Sequence, residues 1–286
     1  KKMRLDKITT KNFLSGAKPY IQVYAGWYNK LVDALNAFTD YGFGMTSGGG
    51  IESNATGQMP HLPIATPPSA HHIIYDDFVK GIAAGAMEAT WTVTADSTGT
   101  ATLIDAAGGV LQISCAAATD NDAVQVQLLQ ETIRLASGKS IWYETRIRVP
   151  EADVTNIDFA VGLAVTEDLT GVADNMPANG IVFTKTEAGV GTVFLASSDN
   201  GTNIVSAASL KTLVTNTWTR LGFYVDGGTT GHVTVTPYID GVAGTPITAV
   251  TYATMSELAP IFMVRNGDAV TTQKLDVDYV YVVQIR

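Results

Sequence analysis

Alternation of apolar and polar side chains is the dominant pattern in this chain, and it is sharpest between Ser140 and Pro150. There Ile141, Tyr143, Thr145, Ile147 and Val149 fall on one face, and Trp142, Glu144, Arg146 and Arg148 on the other. A period of two over this length predicts a half-buried β-strand, which needs a sheet to belong to. From Ile73 to the end the same pattern recurs in short runs. It predicts strands at Ile74–Val79, Thr90–Ala95, Thr100–Asp105, Val110–Ala116, Ala123–Leu129, Ile141–Val149, Asp158–Thr166, Gly180–Lys185, Thr192–Ala196, Asn203–Ala207, Thr217–Val225, His232–Ile239, Ala249–Thr254, Ile261–Asn266 and Lys274–Ile285. Turn signals separate them, among them Gly108-Gly109, Asp240-Gly241 and Asn266-Gly267, which tolerate the positive φ angles of hairpins. Many short strands with no helical period between them predict an all-β, two-sheet antiparallel sandwich.

The first 72 residues follow other rules. Tyr20, Val23, Tyr24, Trp27, Leu31, Leu35 and Phe38 recur in steps of three and four, the spacing of one helix face. The helix is expected over about 19–40, opened by Pro19 and closed near Gly42. Its aromatic face needs cover, either from the following domain or from another subunit; Tyr20, Tyr24, Trp27, Leu31, Leu35 and Phe38 are the candidate partner-binding residues. Residues 42–72 are rich in Gly, Pro, Ser and Thr and lose all period, as a linker does. The expected organisation is an anchoring arm over 1–72 and a jelly-roll domain over 73–286.

Composition narrows the function classes. Only 16% of residues are charged and the net charge is −9, against about 25% charged in an ordinary soluble domain; no basic cluster suggests nucleic acid. No apolar run reaches the ~20 residues of a membrane span. The basic N-terminus lacks an apolar stretch after it, so no secretory signal is expected. The single cysteine, Cys115, cannot form an intramolecular disulfide and is expected in the core. His61, His71 and His72 have no nearby Cys or carboxylate to complete a metal set.

The strand sequences carry a family likeness. Y-D-D-F at 75–78, W-Y-E-T-R-I-R-V at 142–149, N-G-I-V-F at 179–183, N-T-W-T-R-L-G-F-Y-V-D-G at 216–227, V-T-P-Y-I-D-G at 235–241 and L-D-V-D-Y-V-Y-V at 275–282 together resemble the concanavalin A-like lectin/glucanase jelly roll, in particular laminin-G-like domains. The likeness covers roughly residues 74–286. It implies that the opening D-x-F strand pairs beside the closing strand. It also implies calcium as a cofactor to test for, held by Asp76 or Asp77 together with Asp276 or Asp278; taken by themselves these are solvated carboxylates at a sheet edge. The whole chain, with its helical arm and low charge, resembles structural proteins of tailed-bacteriophage virions.

Members of this fold that cleave glycans resemble one another in an E-x-D-x-E strand motif, which sets two carboxylates on one face for acid and nucleophile roles. This chain has no such triplet. Glu144 reads as a surface ion-pair partner of Arg146, and no Ser, Cys or phosphate-loop motif appears. The expectation is therefore a non-enzymatic virion structural protein of capsid-decoration or head-fibre type. It would be located in the virion, contacting other virion proteins, with a homo-oligomer, a trimer, as the expected assembly. The alternative is a lectin-like module meeting host-surface glycans through Trp142, Trp218 and Tyr238, although strand aromatics more often pack than bind.

Overall fold

The computed structural model describes residues 43–45, 51–53, 71–79, 90–104, 109–116, 120–150, 154–170, 176–185, 192–200, 202–205, 209–229, 231–251, 257–267 and 272–286. The expected helix over 19–40, with its six candidate partner-binding residues, lies outside them. The chain divides into two units, Lys1–Pro67 and Pro68–Arg286. In the first, β1 (Phe43–Met45) pairs antiparallel with β2 (Ile51–Ser53). The segment expected as an unstructured linker thus holds a hairpin, whose strands of three residues are too short to show a period.

The second unit is a sandwich of two antiparallel sheets, and no helix occurs among the described residues. The nine-stranded sheet contains β3 (His71–Asp76), β5 (Thr100–Ile104), β6 (Val110–Ser114), β8 (Ile141–Arg148), β14 (Thr219–Thr229), β15 (His232–Ile239), β16 (Val242–Ala243), β17 (Ile247–Thr251) and β19 (Lys274–Ile285). The eight-stranded sheet contains β4 (Trp91–Ala95), β7 (Ala123–Leu128), β9 (Ile157–Ala164), β10 (Gly180–Lys185), β11 (Thr192–Asp199), β12 (Thr202–Val205), β13 (Lys211–Thr212) and β18 (Ala259–Asn266). As the likeness implied, the opening strand β3 pairs with the closing strand β19, Tyr75 standing opposite Tyr281.

One core fills the space between the sheets. Tyr143 stacks on Phe223 at 4.8 Å between ring centres, and Phe183 and Phe262 reach it from the facing sheet. In β8 the alternation holds: Ile141, Tyr143, Thr145 and Ile147 are fully buried, while Glu144, Arg146 and Arg148 on the other face are part-exposed. Cys115 is buried as expected, with its thiol pushed up to about 12 chiefly by that burial. At the β15–β16 hairpin, Asp240 and Gly241 both have positive φ, 51° and 86°, the backbone a type I′ turn requires.

Strand β9 breaks the alternation, since all eight of its residues are buried. Ile157, Phe159, Val161 and Leu163 face the central core. The opposite side carries Ala160, Gly162 and Ala164, and these also have cover. Leu169 and Met176, from the segment after the strand, pack with Ala160, Ala164, Val182, Ile261 and Met263 into a second cluster on the outer face of the eight-stranded sheet. Gly162 cannot carry a side chain there, because a Cβ would lie 2.2 Å from the Ile181 carbonyl oxygen on β10.

Candidate functional site

The outer face of the eight-stranded sheet is apolar at its centre and polar at one flank. Register places Gln127 opposite both Thr92 and Ile261, and Gln125 opposite both Thr94 and Met263. Residues directly opposite share a face, so the polar strip Thr92, Thr94, Gln125 and Gln127 borders the apolar cluster. The segment 165–170 crosses this border and is tied down by the two buried glutamines. Gln125 donates to the Glu167 carbonyl at 2.7 Å and accepts from the Leu169 amide at 2.8 Å. Gln127 donates to the Val165 carbonyl at 2.9 Å. Arg265, itself 2% exposed, donates to the Thr170 carbonyl at 2.8 Å. Of the groups so bonded, the Leu169 amide and the Thr170 carbonyl belong to buried residues and would otherwise be left unpaired.

What remains open is a groove of about 240 Å³ lined by Thr92, Thr94, Gln125, Gln127, Leu128, Thr166, Glu167 and Asp168. A shallower hollow beside it shares Thr166 and adds Leu129, Gln130 and Glu131. Three carboxylates border this surface, and the segment's backbone orients each. The Thr166 amide donates to Glu131 Oε1, the Ala178 amide to Glu167 Oε1 at 2.7 Å, and the Thr170 amide to Asp168 Oδ1 at 2.9 Å. Burial raises the Glu167 carboxyl above its ordinary value, the Ala178 bond opposing it. Sequence reasoning missed this site. The available signal was the Q-V-Q of β7, which in the sequence marks only part of the strand predicted at Ala123–Leu129.

The residues singled out from the sequence are placed elsewhere. Asp76 accepts from the Phe78 amide and from Trp91 Nε1, both at 2.8 Å. Asp276 is fully buried and accepts from Gln112 Nε2 at 2.9 Å and Arg148 Nε at 3.0 Å. Asp278 pairs with Arg146 at 2.9 Å. Asp76 stands opposite Val280, four residues or about 13 Å along β19 from Asp276. Asp76 and Asp276, one of the pairs expected to share calcium, are therefore not brought together. No three His, Cys, Asp or Glu side chains among the described residues converge on a metal position. Glu144 accepts from the Tyr279 hydroxyl, so its partner differs from the expected Arg146.

Trp142, Trp218 and Tyr238 belong to the nine-stranded side, away from the groove. Trp142 is 7% exposed and meets Tyr238 edge-on at 5.1 Å. The Trp218 ring lies under the guanidinium groups of Arg146 and Arg148, at 5.0 and 4.6 Å. Trp142 is thus packed, while Trp218 and Tyr238 stay part-exposed beside their ring and cation–π contacts.

No protein-family model and no curated protein matches the sequence. Among solved structures the chain is similar to an endo-1,3-beta-glucanase from Streptomyces sioyaensis, at 15% identity and a TM-score of 0.51, over 77% of this chain and 98% of that one. It is similar to an endo-beta-1,4-glucuronan lyase from the fungus Trichoderma reesei, at 12% identity and 0.50, over 73% and 94%. It is also similar to the carbohydrate recognition domain of Emp47p, at 11% identity and 0.53, over 76% and 98%. Two of these three are enzymes, which overturns the expectation of a non-enzyme. The absent E-x-D-x-E triplet speaks only to two-carboxylate hydrolysis, and this sandwich also scaffolds a lyase. At these identities the likeness is one of fold: the second unit is an all-β, two-sheet antiparallel jelly-roll sandwich like theirs.

Proposed function

We propose that this protein recognises glycans, as a lectin-like domain whose binding surface is the groove bordered by β4, β7 and the segment 165–168. The observation that carries the reading is the groove itself. It is the open polar flank of a sheet face whose apolar centre is covered by Leu169 and Met176. Its lining suits a sugar: hydroxyls of Thr92, Thr94 and Thr166 donate and accept, carboxylates of Glu167 and Asp168 accept from sugar hydroxyls, and Leu128 offers apolar contact to a ring face. A few placed polar groups on a concave surface are the usual form of such sites. That the similar folds include a glucanase, a glucuronan lyase and a carbohydrate recognition domain supports the same ligand class.

Display on a virion rests on the arm, and the groove's chemistry does not depend on it. The test is calorimetric titration of the full chain with a panel of oligosaccharides, alongside Thr94→Trp. Thr94 is half-buried on the strand that borders the groove, so an indole there fills the site without entering the core. Binding by the parent chain and its loss in the variant, with an unchanged melting temperature, support the reading. Undiminished binding by Thr94→Trp refutes the groove as the site. An assay of new chain ends in the same mixtures separates a binder from a glycan-cleaving enzyme.

A further inference from the structure

We propose that the outer edge of β3 is an interface at which two copies of this chain pair antiparallel, about a two-fold axis through Ile74. β3 pairs with β19 through six consecutive residues, His71–Asp76, with no shift of register. No second strand among the described residues pairs with it. A bare strand edge is a template for another strand, and chains that avoid such pairing place Lys, Pro or a bulge there. β3 reads H-H-I-I-Y-D and has none of these. Its outer face is apolar and open: Ile73 is 53% exposed and Tyr75 61%. Ile285, which stands opposite His71 on β19 and so shares that face, is 41% exposed.

The order of side chains along the strand identifies a second copy as the occupant. Directly opposite residues of an antiparallel pair share a face, so a two-fold axis through the paired edge passes where one residue meets itself. With the axis at Ile74, Ile73 meets Tyr75 of the second copy, His72 meets its Asp76 and His71 meets its Asp77. The axis repeats each pair, so every apolar residue faces an apolar one and every imidazole a carboxylate. An axis at Ile73 sets His72 against Ile74, and an axis at Tyr75 sets Ile73 against Asp77 and Ile74 against Asp76; neither matches. Asp76 already accepts from Phe78 and Trp91, and His72 bonds Thr132. The part-exposed His71 and Asp77 therefore form the stronger of the two polar pairs. On the outer face the Tyr281–Tyr75 contact, 6.0 Å between ring centres, continues across the axis to Ile73 of the second copy. One strand a side lies at the small end of specific interfaces, so the dimer is reversible. A two-fold pair, not the trimer expected from the sequence, is the assembly these residues favour.

Sedimentation velocity of the full chain over a range of concentrations should show a monomer–dimer equilibrium. Tyr75→Lys changes an exposed side chain and removes both Ile73–Tyr75 contacts at once. The dissociation constant should rise about tenfold, with an unchanged circular dichroism spectrum. His71→Asp should weaken the dimer by setting two carboxylates together, and combining it with Asp77→His should restore it. Under oxidising conditions Ile74→Cys should link two copies faster than Ile73→Cys or Tyr75→Cys. At the axis the two Cα atoms lie about 4.5–5.5 Å apart, within reach of a disulfide, and Cys115 is buried away from the reaction. A monomer at every concentration overturns the inference, as does an assembly that Tyr75→Lys leaves undiminished. Faster linking through Ile73→Cys or Tyr75→Cys overturns it too, and so does failure of the double variant to recover what His71→Asp loses.

Discussion

Gln125 is the side chain on which the covering segment depends most, and truncating it to alanine tests the whole account of the site. It is 3% exposed and bridges strand β7 to the segment through the Glu167 carbonyl and the Leu169 amide, at 2.7 and 2.8 Å. In Gln125→Ala the Leu169 amide loses its acceptor in a residue with no exposure at all, which costs about 1–3 kcal/mol for an orphaned buried group. The Glu167 carbonyl, on a part-exposed residue, recovers water and costs ~0.5 kcal/mol. Holding the segment down in the variant therefore costs about 2 kcal/mol more. Lifting it exposes Leu169, worth roughly 1.5–3 kcal/mol, so the two states come close in energy. The opening constant should rise about thirtyfold, at about 1.4 kcal/mol per factor of ten. Hydrogen exchange read by NMR measures this directly at the Leu169 amide. The reasoning fails if Leu169 keeps its parent protection. It also fails if amides of β18 such as that of Phe262 accelerate equally, for then the loss is global.

Three further outcomes follow from particular environments. Asp276→Ala strands Arg148 beside a buried, emptied position and should cost roughly 3–5 kcal/mol in urea unfolding; a loss below about 1 kcal/mol would show that the pair is not held as described. Cys115, with its thiol pushed up to about 12 and 2% exposed, carries about one thiolate in ten thousand at pH 8, so a thiol reagent should label it only in denaturant. Glu167 has a folded-state value raised by burial, so the folded chain holds its proton more tightly than the unfolded chain does. That contribution is complete below the unfolded value of 4.5 and is lost as pH rises through the raised one. Glu167→Gln should therefore gain stability relative to the parent between acid and neutral pH, and parallel urea midpoints across that range would contradict the assignment.

Much of the fold was legible because a strand buried on one side writes itself as a period of two. β8 and β19 were read within a residue, and so was their setting in a two-sheet sandwich. The β15–β16 turn was legible too, since Asp240-Gly241 is a local backbone preference. The site was not. Gln125 and Gln127 look like solvent-facing positions on a half-buried strand, and nothing near them in the chain says that residues some forty positions later will cover them. Trp142, Trp218 and Tyr238 fit the expectation that strand aromatics more often pack than bind. Which partner each meets, the ring of Tyr238 for Trp142 and two guanidinium groups for Trp218, depends on strands far apart in the chain.

The chain's own pattern thus determined strand positions, the sandwich class and the burial of Cys115, because each depends on side chains within a few residues of one another. Only the tertiary structure decided which carboxylates carry cations and which line the groove. It also decided that Asp76 and Asp276 lie apart along β19, and that the centre of one sheet face is closed by Leu169 and Met176. These depend on register between strands remote in sequence. A pairing of this kind is the joint outcome of turns, core volume and backbone hydrogen bonding, and no single stretch of residues encodes it.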